Sequence, residues 1–232
     1  MKKFQTEAPV ETLRRKSALP ARKPAATPAV SAPALLKGTD RAIAELEAAT
    51  ERLAQRRARD MLPGRIVTRR LVLRAPIRGD VPDLVRLADN KTIAARLSRL
   101  PSPYTRADAI GFVEIIAQRA DERPYAITLE DRLIGIVGFS FAPGKRPGFG
   151  YWLGEPYWGK GFMTEAARAV IEAAHQTGAF DTIAALALAD NAASLRVLEK
   201  VGFVRTGKSK GEVGMIVGKP LIKLELKRPR WM

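Results

Sequence analysis

A glycine-rich stretch with one lysine is the part of this sequence best suited to holding a phosphate group. Residues 158–165 read Trp-Gly-Lys-Gly-Phe-Met-Thr-Glu and follow an aromatic strand predicted to end near Leu153. Glycine lets the backbone approach a ligand closely, and the first N–H groups of a helix have no partners within it. Because the positive end of the helix dipole lies at the same place, we expect these amides to bind phosphate.

The same stretch argues against two common nucleotide ligands. It lacks the third glycine and the later acidic residue of a dinucleotide-binding fingerprint, and it lacks the Gly-Lys-Ser/Thr of a P-loop. NAD and ATP are therefore poor candidates. Short Gly-x-Gly turns between a strand and a helix are also common as purely structural features, so the stretch alone leaves both interpretations open.

A second motif follows about 25 residues later. Residues 191–203 read Asn-Ala-Ala-Ser-Leu-Arg-Val-Leu-Glu-Lys-Val-Gly-Phe. Asn191 is a good N-cap and Gly202 a good helix stop. By itself this motif predicts a capped helix that leads into a strand.

The elements that position these motifs follow the order β, α, α, β, β, β, α, β, α, β, β. Because helices and strands do not alternate throughout, a doubly wound fold is not expected. The unit around the glycine stretch is strand, helix, strand, which predicts one local parallel pair with a right-handed crossover. The expected fold class is mixed α/β (α+β), with a mostly antiparallel sheet and helices on both faces. The predicted elements are a strand at 66–74, helices after Asp80, at 91–98 and from Thr105 to Ala120, a hairpin at 125–139, strands at 148–153 and 182–189, helices at 161–177 and 191–200, and strands at 203–206 and 215–226.

The N-terminal part differs in composition from the rest. Residues 1–38 are rich in Ala, Pro, Lys and Arg and are predicted to be a disordered basic tail. Residues 39–62 are predicted to form a charged helix or linker, whose thin apolar stripe consists of Ile43, Leu46 and Leu53. The globular domain is expected at 65–228, after Pro63-Gly64.

Composition narrows the classes of function. The chain has 232 residues and a net charge of +16, so it favours polyanionic partners such as RNA, a ribosome or a phosphorylated ligand. It has no cysteine and a single histidine, so a transition-metal site is not expected. The absence of cysteine also favours a cytoplasmic location. Neither a run of 18 apolar residues nor a secretory signal is present, so no membrane association is expected.

Taken together, the two motifs resemble the GNAT superfamily of acetyl-CoA-dependent N-acetyltransferases. The residues that carry the resemblance are Tyr-Trp-x5-Trp-Gly-Lys-Gly-x2-Thr-Glu-Ala and then Asn-x2-Ser-x-Arg-Val-Leu-Glu-Lys-x-Gly-Phe. The chain is most similar to the branch that includes the ribosomal-protein alanine N-acetyltransferases, over about residues 66–227. The resemblance implies a sheet that splays at its central parallel pair, with acetyl-CoA as co-substrate and no metal.

The resemblance also implies where acetyl-CoA binds. Its pantetheine arm would lie between the strand that ends at Leu153 and the parallel strand at 183–189, and the amides of 159–164 would hold its pyrophosphate. Lys160 is either a phosphate ligand or a solvated loop lysine. The implied cofactor-binding residues are Trp152, Leu153, Gly154, Trp158, Gly159, Lys160, Gly161, Phe162, Met163, Thr164 and Asn191.

The resemblance accounts for the catalytic groups less completely than for the cofactor-binding residues. Many relatives use a tyrosine as the acid where this chain has Leu198, so the resemblance assigns the acid to Ser194. Relatives often carry a glutamate base where this chain has Gly148. The alternatives here are Glu114, Glu155 and a chain of water molecules that leads to bulk solvent. A backbone N–H near Trp152 or Leu153 is expected to stabilise the oxyanion.

The resemblance therefore predicts direct transfer of an acetyl group from acetyl-CoA to a primary amine. The favoured acceptor is the N-terminal amine of a ribosomal protein. A small amine and an aminoacyl-tRNA stay open as acceptors, and so does a non-catalytic GNAT-like protein that binds acyl-CoA, RNA or a ribosome. A monomer and a homodimer are equally compatible with the sequence.

Overall fold

A twisted sheet whose strands run almost entirely antiparallel carries the functional elements. The computed structural model describes the backbone of residues 32–228 and the side chains of residues 40–228. Within that range the strands are β1 Arg65–Val67, β2 Val72–Arg74, β3 Glu122–Leu129, β4 Arg132–Ser140, β5 Gly148–Leu153, β6 Thr182–Leu188, β7 Val204–Lys210 and β8 Pro220–Lys227. Their order across the sheet is β1-β2-β3-β4-β5-β6-β8-β7.

Helices cover both faces of the sheet. They are α1 Ala32–Met61, α2 Val81–Ala88, α3 Lys91–Ala94, α4 Arg106–Glu114, α5 Phe162–Gln176 and α6 Ala192–Lys200. β5 and β6 pair in parallel, and the remaining neighbours pair antiparallel. The predicted fold class is therefore confirmed, including the parallel pair across the α5 crossover.

Each face of the sheet has its own buried apolar cluster. Under α5 and α6, the aromatic rings of Phe139, Phe149 and Phe180 pack with centroids 5.3–5.5 Å apart. Under α2 and α4, Leu84 and Val113 pack on the other face. Side chains alternate along β5, so Phe149, Tyr151 and Leu153 join the first cluster while Trp152 packs on the second.

Local sequence signals place the ends of several elements as predicted. Thr105 and Asp108 form a reciprocal capping box at the start of α4. The β3–β4 hairpin turns through Glu130 and Asp131 at φ values of 48° and 60°, a conformation that Asp tolerates better than most residues. The side chain of Asn191 accepts a hydrogen bond from the Ser194 N–H at 3.2 Å, so it caps α6.

Several predicted elements are wrong in their extent. The strand predicted at 203–206 runs on to Lys210, and the one predicted at 215–226 begins only at Pro220. The single strand predicted at 66–74 is instead the pair β1 and β2, because the Thr68 hydroxyl bonds the Leu71 main chain and closes a turn between them. The helix predicted to run through Ala120 ends at Glu114 and is followed by a short 3-10 turn. The helix predicted at 91–98 is only the four-residue α3.

The N-terminal helix also departs from its prediction. It begins at Ala32 rather than near residue 39, so residues 32–38 of the predicted tail are helical. Pro33 does not prevent this, since proline is tolerated in the first turn of a helix. The rest of the predicted tail, residues 1–31, lies outside the described residues.

The later part of α1 packs on the domain through a face that the apolar pattern did not predict. Ala58 and Leu62 are buried in the α5–α6 cluster. Polar side chains bond main-chain groups on and around the β4–β5 loop: Gln55 bonds the Ala142 carbonyl at 2.9 Å, and Glu51 accepts from the Gly144 N–H at 2.7 Å. Residues 51–62 are thus part of the domain's packing rather than a separate linker.

The predicted stripe of Ile43, Leu46 and Leu53 stays exposed. None of the helices in the described part of the chain is long and apolar enough to cross a membrane.

Candidate active site

The central strands β5 and β6 separate soon after they meet. Their parallel ladder holds only two residue pairs, Gly148 with Ala184 and Phe149 with Ala185. Beyond these pairs, β5 continues to Leu153 and β6 continues to Leu188, but the two strands no longer pair with each other. The sheet therefore opens into a V whose walls are residues 150–153 and 186–188.

The antiparallel ladder with β4 fixes which β5 amides face this opening. The Gly154 N–H donates to the Ile134 carbonyl at 2.9 Å. In an antiparallel pair the bonded residues alternate, so the N–H groups of Gly150 and Trp152 also point to β4. The N–H groups of Tyr151 and Leu153 then point into the V, which makes them the donors available to a ligand there.

The glycine stretch lies at the open end of the V. Gly159 and Gly161 have φ values of 74° and 77°, a left-handed conformation that glycine adopts at little cost. Gly161 is the N-cap of α5 and supplies no side-chain cap. The N–H groups of Phe162, Met163 and Thr164 therefore form the first turn of a 15-residue helix, where an anion is favoured.

An ion pair braces this stretch from outside. Glu165, in the first turn of α5, accepts hydrogen bonds from Arg70 Nε at 2.7 Å, the Arg70 N–H at 2.9 Å and the Thr68 hydroxyl at 2.7 Å. Arg70 also donates to the Lys160 carbonyl at 3.0 Å, and its guanidinium lies 4.4 Å from the centroid of the Phe162 ring. Sequence reasoning missed this brace, because nothing in the spacing of Arg70 and Glu165 indicates that they meet.

Ser194 and Tyr151 meet beside the V. The Tyr151 hydroxyl lies 2.9 Å from Ser194 Oγ and 3.0 Å from the Ser194 carbonyl oxygen. Burial raises the pKa of Tyr151 to about 12, outweighing the opposing hydrogen bond with Ser194. The tyrosine therefore stays protonated and able to donate at neutral pH. Sequence reasoning did not predict this contact, because Tyr151 and Ser194 lie 43 residues apart in the chain.

One large cavity joins these features. Its volume is about 1410 Å³, and it is lined from both faces of the sheet. It includes Ser194 together with most of the predicted cofactor-binding residues, which are Trp152, Leu153, Trp158, Gly159, Gly161, Phe162, Met163, Thr164 and Asn191.

Two predicted cofactor-binding residues lie outside the lining of this cavity. Besides the bond of its N–H to Ile134, Gly154 packs against Leu87, where an added Cβ would lie 2.8 Å from Leu87 Cδ2. Lys160 Nζ donates to the Pro156 carbonyl at 2.9 Å, so the lysine closes its own loop.

Neither carboxylate predicted as a base lines the cavity either. Glu155 accepts a hydrogen bond from Asn90 at 2.6 Å. Glu114 is paired with Arg78 on an exposed face, and the hydrogen bond from Arg78 lowers the pKa of Glu114. Both carboxylates therefore lie away from the space where an amine would react. Among the described residues, no cluster of three or more His, Cys, Asp or Glu side chains is arranged to hold a metal ion.

The face of the cavity under α2 and α4 has a floor with few side chains. Gly138 and Gly150 are opposite each other on β4 and β5. A Cβ added at Gly150 would meet no atom within 4 Å, although this glycine lies in a central strand. Phe112 and Ile116 line the same cavity from the helical side. The space above Gly150 is thus open and forms part of the same cavity as Ser194.

Comparison with known proteins agrees with this geometry. Residues 70–204 match the family model described as the acetyltransferase (GNAT) domain. A probable N-acetyltransferase of Bacillus subtilis, YjcK, is 39% identical over 87 residues, which are 36% of this chain and 48% of the relative. The ribosomal-protein-serine acetyltransferase of Escherichia coli is 32% identical over 95 residues, which are 40% of this chain and 53% of the relative.

The matched segments thus span about half the length of these two curated relatives. The fold extends further. The crystal structure of RimL, a ribosomal L7/L12 α-N-protein acetyltransferase in complex with coenzyme A, superposes with a TM-score of 0.62 and 22% identity. That superposition covers 72% of this chain and 97% of RimL. Since the family model covers more than half of the sequence, the chain belongs to the GNAT acetyltransferase family, as its paired motifs predicted.

Proposed function

We propose that this chain transfers an acetyl group from acetyl-CoA directly to a primary amine. The observation that carries the proposal is the V between β5 and β6, which ends at the glycine loop of α5 and has Ser194 at its side within the same cavity. This arrangement offers unpaired main-chain donors for an extended arm, a phosphate site at the end of that arm and a hydroxyl near its other end.

The groups that would hold acetyl-CoA follow from this geometry. The pantetheine arm pairs with the free main-chain groups of Tyr151 and with the N–H of Leu153, because the Leu153 carbonyl already accepts a hydrogen bond from Trp158 Nε1 at 2.7 Å. The pyrophosphate rests on the amides of 159–164 at the positive end of α5. Arg70 and Glu165 keep that loop in place without lining the cavity themselves.

The chemistry requires no covalent enzyme intermediate. The nitrogen lone pair of the amine attacks the thioester carbonyl, and the oxyanion that forms accepts a hydrogen bond from the N–H of Tyr151 or Leu153. When the C–S bond breaks, Ser194 donates a proton to the leaving thiolate. Tyr151, a phenol that is protonated at neutral pH and whose pKa burial raises further, supports that donation through its bond to Ser194 Oγ.

For the acceptor, we favour the N-terminal amine of a protein, with ribosomal proteins first. Two relatives are named for ribosomal-protein acetylation, and the net charge of +16 favours a polyanionic environment such as the ribosome. A cytoplasmic location accords with such acceptors and with the absence of cysteine.

Two measurements test the proposal. Titration calorimetry with acetyl-CoA is expected to give a dissociation constant in the micromolar range, at or below about 10 μM. Thiol release with an acceptor panel of peptides that begin with Ala or Ser, spermidine and an aminoacyl-tRNA is expected to favour the peptides. Absence of acetyl-CoA binding would exclude the proposal. Binding without turnover, together with salt-dependent RNA affinity, would favour the non-catalytic alternative.

A further inference from the structure

A row of three paired residues crosses the acceptor side of the sheet. Glu122 at the start of β3 pairs with Ser140 at the end of β4, and Ser140 pairs with Gly148 at the start of β5. Directly opposite residues of an antiparallel pair project to the same face. Ala126 and Ile136 lie four residues from Glu122 and Ser140, an even number along each strand, and belong to the cluster under α2 and α4, so the row projects to that face.

All three residues of this row line the large cavity. A Cβ added at Gly148 would lie 2.9 Å from Ser140 Oγ. The serine hydroxyl therefore lies directly beside the place where Gly148 has no side chain. The row carries a carboxylate at one end, a hydroxyl in the middle and no side chain next to the V.

Two carboxylates line the cavity among the described residues, and they differ in what holds them. Asp108 accepts from the N–H and the hydroxyl of Thr105 at 2.8 and 2.6 Å, so it is committed to capping α4. The side chain of Glu122 is 12% exposed and pairs with Arg99 at 2.5 Å. Arg99 is 68% exposed, and an ionised carboxylate has about four acceptor sites. Glu122 accepts one of these side-chain bonds and Asp108 accepts two, and of the two carboxylates only Glu122 belongs to the row that ends at Gly148.

The reaction needs a proton acceptor for the amine, and a carboxylate on the acceptor side of the sheet can supply it. An N-terminal amine has a pKa of about 7.7–8.0, so at neutral pH most of the acceptor arrives as an ammonium ion that has no lone pair for attack. A carboxylate in the cavity attracts that ion and removes its proton. Over the whole reaction the ammonium loses two protons, of which one ends on the thiol of CoA and the other is released to solvent.

We infer that Glu122 binds the acceptor's amino group and accepts its proton, directly or through a water beside Ser140. This inference rests on the proposed function and assigns the base that Gly148 cannot supply. Three arginines surround Glu122. Arg119 precedes it in the chain, Arg99 approaches from the segment after α3, and Arg59 of α1 donates to its main-chain oxygen at 2.8 Å.

The test compares three isosteric variants of acidic residues. Glu122→Gln is expected to lower kcat/KM for an Ala-initiated peptide at neutral pH by about 10- to 100-fold, the scale of general base catalysis. The dissociation constant of acetyl-CoA is expected to stay within about twofold. Glu114→Gln and Glu155→Gln, which alter exposed carboxylates outside the cavity, are the matched controls and are expected to leave kcat/KM unchanged.

Two further measurements distinguish a Glu122 that acts as a general base from a Glu122 that only forms a structural ion pair. The deficit of Glu122→Gln is expected to shrink at least about fivefold between pH 7 and pH 9, because the amine then loses its proton without help. Arg99→Met breaks the same ion pair but keeps the carboxylate, so its kcat/KM is expected to stay within about threefold of wild type.

A pH-independent deficit that Arg99→Met reproduces would overturn the inference, and so would wild-type activity in Glu122→Gln. In both cases wild-type turnover would leave the proposed function standing. Failure of the wild-type protein to acetylate any amine in the panel would contradict both the proposed function and the role inferred for Glu122.

Discussion

The hydroxyl groups of Tyr151 and Ser194 lie 2.9 Å apart and join the open end of β5 to the first turn of α6. This contact exists because β5 and β6 stop pairing after Phe149, which leaves room for a residue of α6 to approach a side chain of β5. It brings a hydroxyl with a raised pKa to the residue that the sequence assigned as the acid.

Removing the Ser194 hydroxyl tests its role in proton donation. Ser194→Ala is expected to lower kcat by about 10- to 100-fold, because the thiolate then leaves without a positioned acid. Acetyl-CoA affinity is expected to change by less than about twofold, since the pantetheine and phosphate donors are main-chain groups. Single-turnover thiol release and calorimetry measure the two quantities, and an unchanged kcat would remove Ser194 from the mechanism.

Tyr151→Phe provides the companion measurement. It removes the partner of Ser194 but keeps the ring that packs on Phe149. We expect a smaller loss of kcat than in Ser194→Ala, and about the same loss in the double variant as in Ser194→Ala alone, because groups that act as one unit are not additive. Additive losses would show that the two hydroxyls act separately.

A substitution at Gly150 tests which face of the sheet receives the acceptor. Gly150→Val adds a side chain to the floor under α2 and α4, where a Cβ meets no neighbour within 4 Å. We expect KM for the acceptor peptide to rise at least about tenfold while acetyl-CoA binding is retained, because only the acceptor space is filled. Gly207→Val in β7 is the control, as its Cβ position is equally open and lies outside the cavity. Equal effects of both variants would contradict the assignment.

A substitution at Glu165 tests whether its ion pair with Arg70 holds the glycine loop in place. Burial acts to raise the pKa of Glu165, but the hydrogen bonds from Thr68 and Arg70 outweigh it and the net pKa is lowered. Glu165→Gln weakens the pair with Arg70, so the dissociation constant of acetyl-CoA is expected to rise by about 5- to 20-fold, equivalent to about 1–2 kcal/mol. Glu172→Gln, exposed two turns later on α5, is the calorimetric control, and similar constants for both variants would show that the brace does not act on binding.

Signals confined to a few neighbouring residues predicted much of this structure correctly. The Thr105 capping box, the Asn191 cap and the strand–loop–helix around Gly161 were all predicted from residues close together in the chain. The single strand predicted at 66–74 was wrong, because the turn at Thr68 closes through a side chain that also bonds Glu165, 97 residues away. The pairs of Tyr151 with Ser194 and of Glu122 with Arg99 likewise depend on how strands and helices assemble, which no local pattern records.

The packing of the N-terminal helix also could not be predicted from a local pattern. Measurements of stability can test it. The apolar spacing indicated the wrong face, since Leu46 is 69% exposed while Leu62, just after α1, is 3% exposed. Leu62→Ala is expected to lower the free energy of unfolding by about 2–4 kcal/mol, as for other buried leucines. Leu46→Ala makes the same chemical change and is expected to stay within about 0.5 kcal/mol of wild type. Urea denaturation measures both, and equal losses would mean that residues 51–62 do not pack as described.

The buried carboxylate of Asp83 predicts how stability depends on pH. Hydrogen bonds from Arg132 lower its pKa from 3.8 to about 2, helped by Arg86 and opposed by burial. Because the pKa is lower in the folded than in the unfolded state, the stabilisation is complete above about pH 5 and is lost as the pH falls toward 2. Both arginines are partly exposed, so screening reduces the contribution to about 1–2 kcal/mol.

Asp83→Asn is therefore expected to be less stable than wild type by about that amount at neutral pH, and the difference should close as the pH falls below about 3. Asp190→Asn, which alters an exposed aspartate, should show no such pH-dependent difference. Urea midpoints measured across this pH range decide the matter. If the gap between Asp83→Asn and wild type were constant with pH, the Asp83 charge would not be its source, and the loss would instead reflect the packing of α2 on the β3–β4 hairpin.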